Sequence, residues 1–276
     1  MGRSPAVLFL FAALSASLGA GSARAHDVWL EPSTHRPAPN QRIDIRLRVG
    51  ERFRGETASR RSERIERFVA LDAEGEREIL GVAGVDPAGV ARLDREGTWL
   101  LVYDNLPARI ELPAERFESY LVEEGLERVV ERRRERGASK RPGRERYSRS
   151  VKCLVTVGSG EAGGFDRTAG LELELVPERD PRALTAPAEL PFRLLFRGEP
   201  LAGALVTALP RRAPERASAA RTDRDGRVAL PIAPGDDWLV RTVHMIEAAE
   251  GDPDVDWQSY WAALSFEVPL DNQDHY

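Results

Sequence analysis

Residues Pro191–Leu209, PFRLLFRGEPLAGALVTAL, decide the fold of the C-terminal part of the chain. Two apolar segments flank a short segment that contains Gly198 and Pro200, which predicts a strand, a turn and a second strand. Downstream, TDRDG at 222–226 predicts a tight turn, because Asp and Gly favour turn backbones. RVALPI and DDWLVRTVHM then predict two further strands. We therefore predict a compact β-sandwich over residues 188–268, followed by a polar tail at 269–276.

The preceding part of the chain shows the same preference for strands. Five segments, most of them alternating with period two and bounded by Gly, Pro, Asp or Asn, predict strands. They are 43–49 (IDIRLRV), 67–71 (RFVAL), 98–103 (TWLLVY), 152–157 (KCLVTV) and 171–176 (LELELV). A Pro- and Ala-rich segment, Val176–Pro191, then predicts a domain boundary. The expected fold class is mainly β, with two β-sandwich domains (Ig-like or transthyretin-like), the first over 26–178.

One segment of the first domain departs from the strand pattern. Residues 113–136 carry apolar side chains at roughly helical spacing among many charges, which predicts an amphipathic helical insertion over 114–136, broken at Gly125. The Arg-rich segment 128–149 that overlaps it favours a solvated surface or mobile loop. An acidic partner or an anionic lipid surface stays open as an alternative. Nucleic acid is not an expected partner, because the chain is acidic overall, with a formal net charge of −5.

The first 25 residues have the features of a secretory signal peptide. Arg3 precedes an apolar stretch at 6–18, and Ala23-Arg24-Ala25 fits the small-x-small pattern that signal peptidase cleaves after. The apolar stretch is shorter than a typical transmembrane helix, although an uncleaved anchor stays open. We therefore expect a soluble periplasmic protein, not membrane-spanning, whose mature chain begins at His26.

An N-terminal histidine offers two metal donors in one residue, the α-amine and the imidazole. The α-amine has a pKa of about 7.7–8.0 in model peptides, so a metal ion can displace its proton at little cost. A second imidazole would complete the three-nitrogen set known as a histidine brace. Nitrogen donors of this kind suit a divalent transition metal such as Ni, Co or Cu. The position of the predicted cleavage is therefore part of the predicted chemistry.

His244 is the strongest candidate for the second imidazole, because it lies near the end of a predicted strand, WLVRTVHM, where it could face a cleft between the two domains. The alternative is a hydrogen-bonded structural histidine. We predict His26 and His244 as the metal ligands and no catalytic residues. Weaker candidates are His35, His275, Asp27, Glu31, Asp254 and Asp256. The only cysteine, Cys153, is expected to be a small buried residue of a strand.

Several of these segments together resemble one known family. They are AHDVWLEP, FESYLVEEGLERV, RERYSRSVKCLVTVG, PLAGALV with TDRDGRV and WLVRTVHM, and WQSYWAALSFEV. The chain resembles periplasmic proteins described as nickel or cobalt uptake components, a domain-of-unknown-function family related to Nik-type transporters. The C-terminal part separately resembles small transthyretin-like or carboxypeptidase-regulatory-like β-sandwiches, which are scaffolds and imply no function. The first resemblance implies delivery or sequestration of a divalent metal, with a membrane metal transporter as partner.

Three functions stay open from the sequence. The first is a metal-binding carrier that uses His26 and His244 and performs no catalysis. The second is a copper oxidase, since lytic polysaccharide monooxygenases hold copper with a histidine brace on a β-sandwich. The third is a structural envelope module that binds no metal. Hydrolase motifs such as G-x-S-x-G and H-E-x-x-H are absent from the sequence.

Overall fold

A computed structural model describes residues 26–159, 163–249 and 252–270. Strands dominate these residues, as predicted. The first half contains β1 (Asp27–Pro32), β2 (Arg42–Glu51), β3 (Arg54–Ala58), β4 (Ile65–Leu71), β5 (Glu76–Glu78), β6 (Gly89–Arg92), β7 (Gly97–Asn105), β8 (Ala108–Leu112) and β9 (Gly143–Val157). The second half contains β10 (Leu173–Pro177), β11 (Ala188–Phe196), β12 (Glu199–Pro200), β13 (Leu205–Pro210), β14 (Ser218–Arg221), β15 (Arg227–Ile232), β16 (Asp236–Glu247) and β17 (Trp257–Val268).

The strands form one large sheet and two small ones. The large sheet has the order β14-β13-β16-β17-β9-β7-β4-β5, and β8 pairs with the start of β9. One small sheet contains β1, β2, β3 and β6, and the other contains β10, β11, β12 and β15. The fold is therefore mainly β, a sandwich with a helical insertion, as the sequence predicts.

The two small sheets cover opposite faces of the large sheet, because successive side chains of a strand point to opposite faces. On one face, Trp29 and Ile45 of the first small sheet share a core with Leu101 and Cys153. On the other face, residues of the second small sheet such as Phe192 pack on a core built by the alternate positions of the same strands. Each face of the large sheet thus has its own hydrophobic core.

One strand pair joins the two halves of the chain. β17 runs parallel to β9, from Trp257 opposite Glu145 to Ser265 opposite Cys153. The predicted regions 26–178 and 188–268 therefore contribute strands to one continuous sheet. Two sandwiches can still be recognised, but they share this sheet and are not joined by a linker alone.

The helical insertion consists of two short helices, α1 (Ala114–Glu123) and α2 (Glu127–Glu135). The break is at Gly125, as predicted, where the backbone adopts φ +66°. Apolar side chains of both helices, such as Phe117 and Val129, pack with Val243 and Trp261 on the large sheet. The helices thus lie on the same face of the large sheet as the first small sheet.

For the Arg-rich segment 128–149 the sequence favours a solvated surface or a mobile loop; most of residues 128–142 are indeed exposed, but the segment is not a loop. Its first part is α2 and its last part begins β9. Most of its arginines are paired within the chain: Arg132 and Arg136 with Glu247, and Arg144 with Asp256. Arg133 is only 2% exposed, because it pairs with Glu118 and lies over an aromatic ring. Intramolecular pairing neutralises much of this positive charge.

In the parts of the chain that the structure describes, no helix is both long and apolar enough to span a membrane.

Candidate functional site

A cavity of about 760 Å³ lies between the first small sheet and the helical insertion, on the same face of the large sheet. Strand residues of both sheets, one helix residue and the loop after β3 line it. The lining residues that carry the argument below are His26, Arg61, Arg64, Tyr103, Tyr120, Glu145, Tyr147, Arg149 and Trp261. The volume falls within the range of about 300–1,000 Å³ that is usual for small-ligand sites.

His26, the predicted mature N-terminus, lies at this cavity and is anchored by its backbone. The guanidinium of Arg149 donates a hydrogen bond from Nη2 to the carbonyl oxygen of His26 over 3.1 Å. The next residue, Asp27, is buried and forms an ion pair with Arg241 over 3.0 Å. Chain termini usually fray unless they are tied down. Here both residues at the start of β1 are held by arginines of the large sheet.

The ion pair at Asp27 extends into the helical insertion. Arg241 also pairs with Glu124 at the end of α1, over 2.5 Å. Burial raises the pKa of the Asp27 carboxyl to about 6, and the neighbouring Arg241 opposes this rise. Two carboxylates therefore share one guanidinium beneath the N-terminal strand, and they connect the position of β1 to that of α1.

The imidazole of His26 has a carboxylate for a neighbour. Its Nε2 lies 3.9 Å from Oε1 of Glu51, and about 40% of each side chain is exposed, 41% and 39%. If cleavage follows Ala25, the α-amine, the imidazole and this carboxylate would form a set of two nitrogen donors and one oxygen donor. The donors suit a divalent transition metal, and the position is open to solvent.

The structure does not bring His244 to this site. His244 lies opposite Tyr260 in the β16–β17 pair, and its ring contacts Phe196 of the second small sheet at a centroid distance of 4.6 Å. Arg241, three residues earlier on the same strand, points to the other face, where it pairs with Asp27. His26 and His244 therefore lie on opposite faces of the large sheet. In this arrangement one metal ion cannot bind both, since direct ligation needs both nitrogens at about 2 Å from it.

His35 does not supply the missing nitrogen either. The Nδ1 atom of His35 lies 3.0 Å from the carbonyl oxygen of Leu154 and 3.7 Å from Sγ of Cys153, which ties the loop after β1 to β9. Cys153 is a fully buried free thiol, as predicted. His275 lies outside the described residues. Among the described residues, no group of three or more His, Cys, Asp and Glu side chains is placed to hold a metal ion.

The acidic residues that the sequence offers as weaker ligands are engaged elsewhere. Glu31 pairs with Arg211 over 2.8 Å, and Asp256 accepts two hydrogen bonds from Arg144. Asp254 lies 3.6 Å from Arg109. Their side chains neutralise neighbouring arginines, so none of them marks a separate metal site.

Sequence reasoning missed the residues that hold His26 in place. Arg149 is 123 positions away in the chain, and Arg241 lies on the far side of the domain boundary that the sequence predicts. Their only signal in the sequence is positive charge within strand-like segments, which is common in this Arg-rich chain. Trp261, which follows strand-like residues near the C-terminus, also lines the cavity that contains His26.

Comparison with known proteins identifies a family and no function. No curated protein matches the chain significantly. A domain described as a domain of unknown function, DUF4198, matches residues 23–246, from the segment just before His26 to the end of β16. Nickel or cobalt uptake and a transthyretin-like module stay predictions. Because the match covers most of its length, the chain belongs to the DUF4198 family.

Proposed function

We propose that this protein binds a divalent transition metal ion (Ni, Co or Cu) outside the cytoplasm through the N-terminal histidine His26, and that it supplies or sequesters this ion for a membrane uptake system. The observation that carries the proposal is the double anchoring of β1. Arg149 fixes the carbonyl group of His26 and Arg241 fixes the side chain of Asp27. These two contacts place the predicted N-terminal residue at the cavity and fix its backbone there.

The chemistry of the proposed site rests on the donors that His26 brings. The α-amine and Nδ1 of one histidine close a chelate ring, and the carboxylate of Glu51 lies close enough to the imidazole to add an oxygen donor. Anchoring lowers the entropy that His26 would lose on binding a metal, which favours affinity. His244 is not part of this proposed site.

The role in uptake rests on sequence resemblance. Segments such as AHDVWLEP and WLVRTVHM resemble nickel or cobalt uptake components, and the ion would be cargo that is passed to a membrane transporter. The region 188–268, which resembles transthyretin-like modules, would serve as the scaffold that places Arg241 beneath β1. A copper oxidase is less well supported, because no second histidine joins His26 among the described residues.

A titration of two preparations with Ni(II) and Cu(II) tests the proposal. One preparation starts at His26, after specific proteolysis, and the other carries Gly-Ser-Gly-Ser ahead of it. A shorter extension is unsuitable, because one or two residues before a histidine create a new amine–amide–imidazole chelate. We expect the native start to bind on the order of 100-fold more tightly, equivalent to about 2.8 kcal/mol, because only it has the α-amine beside the imidazole.

Two variants serve as controls. His26→Ala at the native start should lose the tight binding, whereas His244→Gln should retain it, because His244 lies on the other face of the large sheet. Equal affinity of the native and extended preparations would show that the α-amine is not a ligand. Equal affinity of the native and His26→Ala proteins would overturn the site altogether.

A further inference from the structure

The cavity beside His26 extends well beyond the space that one metal ion needs. It holds about 760 Å³ and reaches from His26, just before β1, to Tyr120 on α1, across β9 and β17. Its lining is mixed: valine, leucine, isoleucine and alanine side chains from β1, β2, β3 and β8 face aromatic rings from β7, β9 and β17. Such a volume and lining suit an organic molecule.

Positive charge prevails in this cavity. Arg61, Arg64 and Arg149 line it, and none of them forms a salt bridge with a carboxylate among the described residues. Arg64 and Arg149 instead donate to the backbone carbonyl oxygens of Leu106 and His26. In contrast, most arginines of α2 and the start of β9 are paired with acidic side chains. The guanidinium groups at the cavity thus keep donors that no acidic side chain of the described chain satisfies.

Among the described lining residues Glu145 is the one carboxylate, and it forms no salt bridge with these arginines. Glu145 is 3% exposed, and its Oε1 accepts hydrogen bonds from Ser259 and from the hydroxyl of Tyr120. Burial raises the pKa of the Glu145 carboxyl, because the charged form loses its hydration. This oxygen therefore bonds to Ser259 and Tyr120 and not to the arginines.

Arg149 is the best placed of the three arginines to receive an anion. Its guanidinium carbon lies 4.6 Å from the ring centre of Tyr147 and 5.4 Å from that of Trp261, so two aromatic rings contact it. Its Nε is buried and has no hydrogen-bond partner in the described chain. A buried donor without a partner destabilises the structure, because it has lost its hydrogen bonds to water. The planar guanidinium of an arginine matches the two oxygens of a carboxylate.

We propose that this cavity binds a small organic carboxylate with an apolar or aromatic body. Arg149, with Arg61 and Arg64 at the loop side, would receive the carboxylate, and Tyr103, Tyr147 and Trp261 would contact the body of the ligand. The apolar share of the lining favours such a molecule over an inorganic anion. This inference does not depend on a metal, because none of the groups that would bind the carboxylate is a predicted metal ligand.

Calorimetric titration of the mature protein in EDTA, with 4-phenylbutyrate as the probe, tests this inference. Its neutral isostere, 4-phenylbutyramide, is the matched ligand, because it has the same shape without the charge. We expect the carboxylate to bind at least about 5-fold more tightly than the amide, equivalent to about 1 kcal/mol, because charge-assisted hydrogen bonds to arginine are stronger than neutral ones. EDTA separates this result from the metal proposal, which can fail without affecting it.

Variants locate the site. Arg61→Gln combined with Arg64→Gln should reduce the preference for the carboxylate several-fold and leave binding of the amide unchanged. Arg134→Gln is the matched control, because Arg134 is an exposed arginine of α2 outside the cavity. Equal binding of carboxylate and amide, no binding of either, or an equal effect of the control variant would overturn the proposal.

Discussion

The imidazole of His244 lies against Phe196 and largely away from solvent, and this burial sets its protonation. Burial, followed by the positive charges of Arg197 and Arg128, lowers the pKa of His244 from 6.5 to about 4. The unfolded chain therefore takes up a proton below pH 6.5, whereas the folded chain resists protonation until about pH 4. The folded state loses stability across this window as the pH falls.

We predict that the free energy of unfolding decreases by up to roughly 3 kcal/mol between pH 6.5 and pH 4 because of His244. Denaturant unfolding at several pH values measures the change, and His244→Gln should flatten the profile in this window. NMR titration of the imidazole gives its pKa directly. A measured value near 6.5 would contradict the buried position of this ring.

At the residue scale, the sequence singles out His26 as a candidate metal ligand but does not show which residues lie around it. The signal-peptide pattern alone selects His26, because the cleavage position is local information. The contact between Arg149 and His26 depends on strand pairing between distant parts of the chain. The same holds for His244. The sequence predicts the strand β16 and its alternating side chains, but it does not show which face of that strand packs near β1. Pairing of His26 with His244 was wrong for this reason.

At the scale of elements, Gly125 separates the two helices and could be recognised in the sequence. Its backbone has φ +66°, and a Cβ atom at this position would lie 2.9 Å from Cβ of Leu205 and from a guanidinium nitrogen of Arg221. The sequence predicts the break between the helices but not the close packing at Gly125, because Leu205 and Arg221 belong to strands in the second half of the chain. The glycine is required both for the turn and for close packing.

We predict that Gly125→Ala destabilises the protein more than Gly137→Ala does. Gly137 follows α2 with φ +62°, but a Cβ atom there would meet nothing within 4 Å. Gly137→Ala should therefore cost only the left-handed backbone penalty of about 1–2 kcal/mol. Gly125→Ala adds steric overlap, and we expect a further 1 kcal/mol or more. Thermal and denaturant unfolding of both variants measures the difference, and equal costs would contradict the close packing at Gly125.

The Arg-rich segment shows why charge patterns predict elements poorly. A dense series of arginines favours a solvated segment when no partners are known. In the structure, Glu247 and Asp256 supply those partners from the β16–β17 hairpin. These acidic residues lie more than a hundred positions away, so the sequence could indicate the helix at 114–136 but not the ion pairs that hold the segment to the rest of the fold.

At the scale of the whole molecule, the predicted domains share the large sheet. The strand content and the turn after β11 could be predicted from the sequence, because each depends on a few adjacent residues. The parallel pairing of β9 with β17 could not be predicted, because it joins residues 145–153 to the distant residues 257–265. The local sequence pattern thus predicts the mainly β fold class and most of the strands, whereas strand pairing between distant segments decides how many separate domains the chain forms.

We predict that the fragments 26–178 and 188–268 do not fold when they are produced separately. Each fragment would expose one partner of the β9–β17 pair, and unpaired strand edges promote aggregation. Circular dichroism, dye binding and size-exclusion chromatography should show loss of cooperative unfolding or association in both fragments, with the mature chain as the control. Two cooperatively unfolding monomeric fragments would contradict the shared sheet.

The parallel β9–β17 pair also determines when the large sheet can be completed during folding. Its members are about a hundred residues apart in the chain, so closing it costs considerable chain entropy and slows folding. During synthesis β9 emerges long before β17 and keeps one edge unpaired until the last strand is made. A truncation that removes β17 would leave this edge of the large sheet open to association with other chains.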